Sequence, residues 1–182
     1  MIHKLELKSF GGFHDTEVVF GEGYQCLPGP NESGKTTTIM CIRALLYGFS
    51  KDSLNRKLYS DAYEDYKPLQ GRDFSAAMEI ETGKGRFRIE RQFHKENEQM
   101  ILTNLDTNEI IEDESLYAFS GIPQPGSYFW GLSQDDFMRF FCMDDLQATD
   151  AASILKRIEE SRDFVTKGNS TLRFADSYVY LD

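Results

Sequence analysis

Gly29-Pro30-Asn31-Glu32-Ser33-Gly34-Lys35-Thr36 fits the phosphate-binding pattern G-x-x-x-x-G-K-[ST] at every fixed position. The flanks agree with it: Tyr24 to Leu27 predicts a short buried strand and Thr37 to Tyr47 a helix, so the glycines fall on a strand, loop and helix junction. Gly29 and Gly34 let the backbone turn back on itself, so that successive N–H groups face one concavity and the helix N-terminus adds its positive end. Such a cradle suits a polyphosphate. Lys35 would reach the outer phosphates as a point charge and the Thr36 hydroxyl would enter a Mg²⁺ shell. Pro30, Asn31, Glu32, Ser33 and Thr37 complete the binding stretch. The competing reading is a glycine-rich turn with Ser33 as a helix cap, and the agreement of three successive elements weighs against it.

Outward from this loop, composition sets the class. At 182 residues, 40% apolar and 13% aromatic, the chain can fill the core of one ordinary domain. A net charge of −10 argues against a surface that is basic throughout, so nucleic acid would have to meet a local patch or a partner. Cys26, Cys41 and Cys142 are isolated, odd in number and set among apolar residues, as reduced core thiols are, and no C-x-x-C offers a metal site. A cytoplasmic location follows as an expectation. No apolar run approaches the ~20 residues of a membrane span, and Ile2-His3-Lys4-Leu5 does not open a signal peptide. His3, His14 and His94 read as surface or strand-edge residues.

Before the loop, alternation at Lys4 to Lys8 and at Thr16 to Phe20 predicts a hairpin, joined by a long connection from Ser9 to Asp15 with two glycines and two aromatics. Those aromatics read as a local core plug or as a platform for a base. After the loop, the helix is apolar on more than one side and predicts burial between layers, with Gly48 as its C′ residue. Ser50 to Gly71 reads as a surface excursion with at most short helical turns. Phe74 to Ile80, Phe87 to Phe93, Met100 to Leu105 and Glu109 to Ile111 predict an antiparallel meander. Arg86, Arg88 and Arg91 read as a solvated strand face paired with acidic residues, with phosphate or DNA contact as the alternative. Ser133 predicts an N-cap for a short helix with Phe137 on its buried side, and Arg139 to Met143 a buried strand ending in Asp144-Asp145-Leu146-Gln147. Ala151 to Val165 predicts an amphipathic helix leading into a tail.

With the phosphate loop, Leu5-Glu6-Leu7-Lys8-Ser9-Phe10 and Ala44-Leu45-Leu46-Tyr47-Gly48-Phe49 in view, the sequence resembles the N-terminal half of an ABC-type ATPase head of the SMC, SbcC and RecF group. Within that group it is most similar to YhaN-like bacterial ATPases, the likeness running through Gly85-Arg86-Phe87-Arg88-Ile89-Glu90-Arg91 to Leu146-Gln147. The resemblance implies an α/β P-loop NTPase fold with a mixed sheet core and an antiparallel β subdomain, residues 1–150 forming the lobe and 151–182 leading onward. It implies Mg²⁺ and ATP as cofactors, ATP hydrolysis by a complete head, and work in DNA repair or chromosome maintenance.

No Walker B strand ending in Asp-Glu and no Ser-Gly-Gly signature follows the loop, so the expected partners are a C-terminal half, on the same or a separate chain, and a second head closing over the nucleotide. The isolated chain is then expected to be inactive. Aligning Phe140 to Met143 with the family's buried strand puts Asp144 where family members have a catalytic glutamine, with Gln147 three residues later. Asp144 is the preferred Mg²⁺-side residue and Gln147 its competitor; with Lys35 they form the expected catalytic set. Two other functions stand beside this one. A non-catalytic module ordered by nucleotide fits the missing acidic motifs, and a small-molecule P-loop kinase fits the length but has its arginines on a strand rather than a lid.

Overall fold

Strand β1 (Ile2–Phe10) runs antiparallel to β2 (Phe13–Val19), as the alternation predicts, in a computed structural model that describes residues 1–23, 25–49, 61–68, 73–94, 98–117 and 121–141. The connection is shorter than expected. Pairing continues to Phe10 and Phe13, leaving a two-residue turn at Gly11 and Gly12, because Gly11 takes a φ of 56° that a tight reversal needs.

The meander forms β3 (Ser75–Thr82), β4 (Gly85–Gln92), β5 (Gln99–Asn104) and the short β6 (Glu109–Ile110). Hairpin and meander join, β1 pairing with β3, in one six-stranded sheet in the order β2-β1-β3-β4-β5-β6. Every pairing in it is antiparallel, so no mixed sheet is present among the described residues.

The inner face of this sheet carries Leu5, Met78, Ile89 and Leu102 in register across four strands, with Leu7, Ile80 and Phe87 beside them, all buried. Burying each such side chain contributes about 1.5–3 kcal/mol. Helix α1 (Lys35–Tyr47) packs on β1, β3 and β4, presenting Thr38, Cys41, Ala44 and Leu45 from its buried side. Its burial is one-sided at the start, since Ile39 is 50% exposed, so the expectation of a helix enclosed between layers holds only for its last turn. The outer face is a ladder of ion pairs. Arg88 contacts Glu6 at 2.9 Å, Glu79 at 3.0 Å and Glu90 at 3.2 Å, while Lys4 contacts Glu6 at 3.1 Å and Glu17 at 2.9 Å. These pairs are half-buried on a water-facing surface, where each contributes no more than about 1 kcal/mol, so the inner face holds the sheet.

Helix α2 (Asp61–Tyr66) lies in the excursion read as surface, yet Tyr63 is buried and its hydroxyl donates to the Phe93 carbonyl at 2.8 Å. It closes an aromatic cluster with Phe10, Phe49, Phe74 and Phe93. Aromatic spacing within a polar stretch hid this core contact.

Arg91 corrects the reading of a solvated basic face. It shares the inner face with Phe87 and Ile89, at period two, and is 1% exposed. Its Nη1 donates to Glu98 at 2.9 Å and Nη2 to the Pro123 carbonyl, while Nε has no partner among the described residues. Burial pushes its pKa down to about 10, partly countered by Glu98, so it stays charged at neutral pH.

Past the 3₁₀ turn at Glu114–Tyr117, the helices α3 (Pro125–Trp130) and α4 (Gln134–Phe141) return to the last turns of α1. A Cβ at Gly126 would lie 2.3 Å from Tyr47 Cζ, so helix and ring touch, and Tyr47 also meets the Phe137 ring at 5.1 Å. The expected N-cap holds: Ser133 Oγ accepts from the Asp136 amide at 3.2 Å. The buried strand expected from Arg139 does not form. Residues Arg139 to Phe141 continue α4, because Phe137, Phe140 and Phe141 recur at the three- and four-residue spacing of a helix. One compact unit spans Met1–Arg139. The expected boundary at residue 150, the helix from Ala151 and the tail lie outside the described residues.

Candidate functional site

Residues Gln25 to Pro30 approach α1 exposed and without strand pairing, which overturns the buried strand expected to deliver the loop. A strand needs a neighbour to bond, and among the described residues none lies beside this segment; Leu27 stays 38% exposed and Cys26 is exposed rather than a core thiol. Cys41 does sit in the core, where burial pushes its thiol pKa up.

The loop itself folds as a tight reversal. Pro30 accepts from the Ser33 amide at 3.3 Å, and Glu32 takes a φ of 66° at a turn position that glycine or asparagine usually fills. A Cβ at Gly29 would lie 2.4 Å from Ser33 Oγ, so only glycine lets the loop close at that point. Gly34 caps α1 with φ 86° and ψ 9°, and its carbonyl accepts from the Thr38 amide at 2.9 Å and the Thr38 hydroxyl at 3.0 Å. The Thr38 bond opens the helical ladder, so the amides of Lys35, Thr36 and Thr37 have no intrahelical acceptor. No acidic residue occupies the first turn to compete for that end of the helix dipole.

Lys35 folds back over the loop. Its Nζ donates to the Gly29 carbonyl at 2.7 Å, the Pro30 carbonyl at 2.6 Å and Ser33 Oγ at 3.3 Å. The ammonium is therefore held above the reversal by groups of the loop. A polyphosphate fits this set of donors: three amides without an acceptor among the described residues, a glycine cap without a Cβ, and a cation. Thr36 is exposed in the first turn, where its hydroxyl suits a metal shell. Among the described residues no group of three or more His, Cys, Asp or Glu side chains gathers as a metal centre. Thus Gly29, Pro30, Asn31, Glu32, Ser33, Gly34, Lys35, Thr36 and Thr37 come together, whereas Asp144 and Gln147 lie outside the described residues.

The hairpin connection, whose aromatics read as a core plug or a base platform, meets the loop through a contact that neither reading includes. The Phe13 ring abuts the α-carbon of Gly34, and Gly11 lies beside the Thr37 methyl, bringing the hairpin tip against the first turn of α1. The signal was the pair of glycines between Phe10 and Phe13. Phe10 is fully buried, as the plug reading expects, but Phe13 is only partly so.

The far end of α1 is closed. Gly48, at φ 73°, donates to the Ala44 carbonyl at 2.8 Å, and a Cβ there would lie 2.4 Å from Arg91 Nη1. Gln134, its amide oxygen turned to the guanidinium, accepts from Arg43 Nη2 at 2.6 Å and Nε at 3.0 Å.

A family model described as an AAA domain matches residues 4–174. No curated protein matches the chain. No helix among the described residues is long and apolar enough to cross a membrane.

Proposed function

The chain belongs to this AAA domain family, a P-loop ATPase family found in SMC- and SbcC-like proteins, and from that premise we propose that it is the ATP-binding N-terminal half of an SMC, SbcC or RecF-like ATPase head. The YhaN-like branch is the subgroup we favour, on the motifs at Gly29–Thr36 and Gly85–Arg91. The observation that carries the reading is the loop at the start of α1, with Lys35 held over it by the Gly29 and Pro30 carbonyls and three amides left free.

In this reading the amides of Gly34 to Thr37 hold the phosphates, Lys35 trades a loop carbonyl for a phosphate oxygen, and the Thr36 hydroxyl holds Mg²⁺. ATP supplies the transferable phosphoryl group. Exposed Leu27 and Ile39, together with the unpaired segment before the loop, support a C-terminal half that covers them and adds the missing acidic motifs. Hydrolysis then belongs to the completed, paired heads, with Asp144 or Gln147 near the metal. Work on DNA is part of the proposal for the whole head. Lys4, Lys8, Arg86 and Arg88 on the outer sheet face are all paired with carboxylates, so they add nothing to it.

Calorimetric titration with Mg²⁺ and ATP tests the reading. Saturable binding that disappears in Lys35→Ala is expected, and equal affinity in the two proteins would overturn it.

A further inference from the structure

We infer that Phe13 is a positioning residue of the phosphate loop, one that holds Gly34 in its binding conformation from the hairpin side; this rests on the nucleotide-binding reading above. Glycine has a wide choice of backbone conformations, so the φ of 86° at Gly34 is not selected by its own covalent structure. Yet that torsion aims the amides that open α1. The Thr38 bonds to the Gly34 carbonyl fix its helix side, and a contact from outside the loop can hold its other side.

The Phe13 ring is placed to do so. A Cβ built on Gly34 would lie 2.2 Å from Phe13 Cζ, 2.6 Å from Cε2 and 3.3 Å from Cε1, so the edge of the ring rests on the α-carbon. The ring is itself fixed. Phe13 pairs with Phe10 across the Gly11-Gly12 turn, the Gly11 amide donates to the Tyr66 carbonyl at 2.7 Å, and the Phe10 ring stacks on Tyr66 with centroids 5.6 Å apart. Phe13 also packs against the main core cluster. A second contact lies one turn along, where a Cβ on Gly11 would be 3.0 Å from Thr37 Cγ2. The hairpin tip thus touches the start of α1 at two points, and the rigid sheet sets where the loop can sit. Small displacements of groups that bind a charged ligand are costly, because hydrogen bonds to phosphate depend steeply on angle.

Positioning and direct stacking on a base give different results with a ligand that has no base. The test titrates wild type, Phe13→Leu and Phe13→Ala with inorganic tripolyphosphate and with ATP, below the unfolding midpoint of each protein. Phe13→Ala is expected to weaken both ligands by the same factor, about tenfold to a hundredfold, and Phe13→Leu to recover most of that loss. If Phe13→Ala does not fold, Phe13→Val, a strand former too short to reach Gly34, carries the comparison. Unchanged tripolyphosphate affinity in the folded variant overturns the inference, whether ATP affinity holds, which makes the contact idle, or falls alone, which makes Phe13 a base contact. A wild-type protein that binds neither ligand overturns the nucleotide reading and the inference with it.

Discussion

At its N-terminal end α1 starts from a glycine in the left-handed region, carries three amides without helical acceptors and is met by an exposed loop in which Glu32 has a positive φ. At its C-terminal end Tyr47, Gly48 and Phe49 are buried, and the guanidinium of Arg91 sits against the capping glycine with Glu98 and the Pro123 carbonyl as partners. The same helix is therefore closed over at one end, while at the other the hairpin tip rests on Gly34 and Thr37 and the amide donors stay open. Strain and unused donors collect where a charged ligand would enter, while packing collects where nothing needs to move. Along a single helix of 13 residues, the groups that hold the fold are thus apart from those we propose to bind the nucleotide.

The largest effect that could break this comparison is at the anchored end. Arg91→Ala removes the cation from beside a carboxylate that is only 11% exposed, a loss of about 3–5 kcal/mol in chemical denaturation. Lys35→Ala, at the open end, is expected to change stability by less than about 0.5 kcal/mol while removing ATP binding. Equal destabilisation by the two substitutions would contradict the division of labour.

A smaller effect sharpens it. Glu32→Gly relieves a positive φ worth about 1 kcal/mol but gains backbone freedom in the unfolded chain of similar size, so its net stability change is expected to stay below about 1 kcal/mol. It also takes a carboxylate away from the loop that is to hold phosphates, so calorimetry is expected to give tighter ATP binding. Weaker binding would mean that the carboxylate assists the ligand.

The smallest effect uses the outer sheet face as a control remote from both ends. Hydrogen bonds from Arg88 pull the Glu6 carboxyl down to about 2, from an ordinary value of 4.5. A carboxyl lowered on folding stabilises the protein above its ordinary value, and that contribution is lost as pH falls from about 4.5 towards 2. Glu6→Gln is expected to flatten the stability profile in that window and leave ATP affinity at neutral pH unchanged. A profile as steep as the wild type's would remove Glu6 from the ladder.

How far the chain could be read in advance depended on whether a signal was local. The tight turn that ends in Gly34, the helix it opens and the Gly48 cap follow from residue types that favour particular torsions, and they appear where expected. The hairpin and meander follow from period-two alternation. Their union in one sheet does not, because β1 and β3 are far apart in sequence and the register Leu5 to Met78 is set by packing. Arg91 was misread because its charge outweighed its parity with Phe87 and Ile89. The stretch from Arg139 was misread because a short apolar run serves helix or strand equally well, and the cap at Ser133 decided for helix. The contact of Phe13 with Gly34 joins two loops through space, which no spacing rule could reveal.

Hydrogen exchange resolved along α1, with and without Mg²⁺ and ATP, tests the open-end and closed-end account most directly. The amides of Gly34 to Thr37 are expected to exchange fast in the free protein and to slow strongly on adding nucleotide, while those of Ala44 to Phe49 are slow in both states and change little. Protection that appears first at Ala44 to Phe49, or none at Gly34 to Thr37 under saturating ATP, would contradict it.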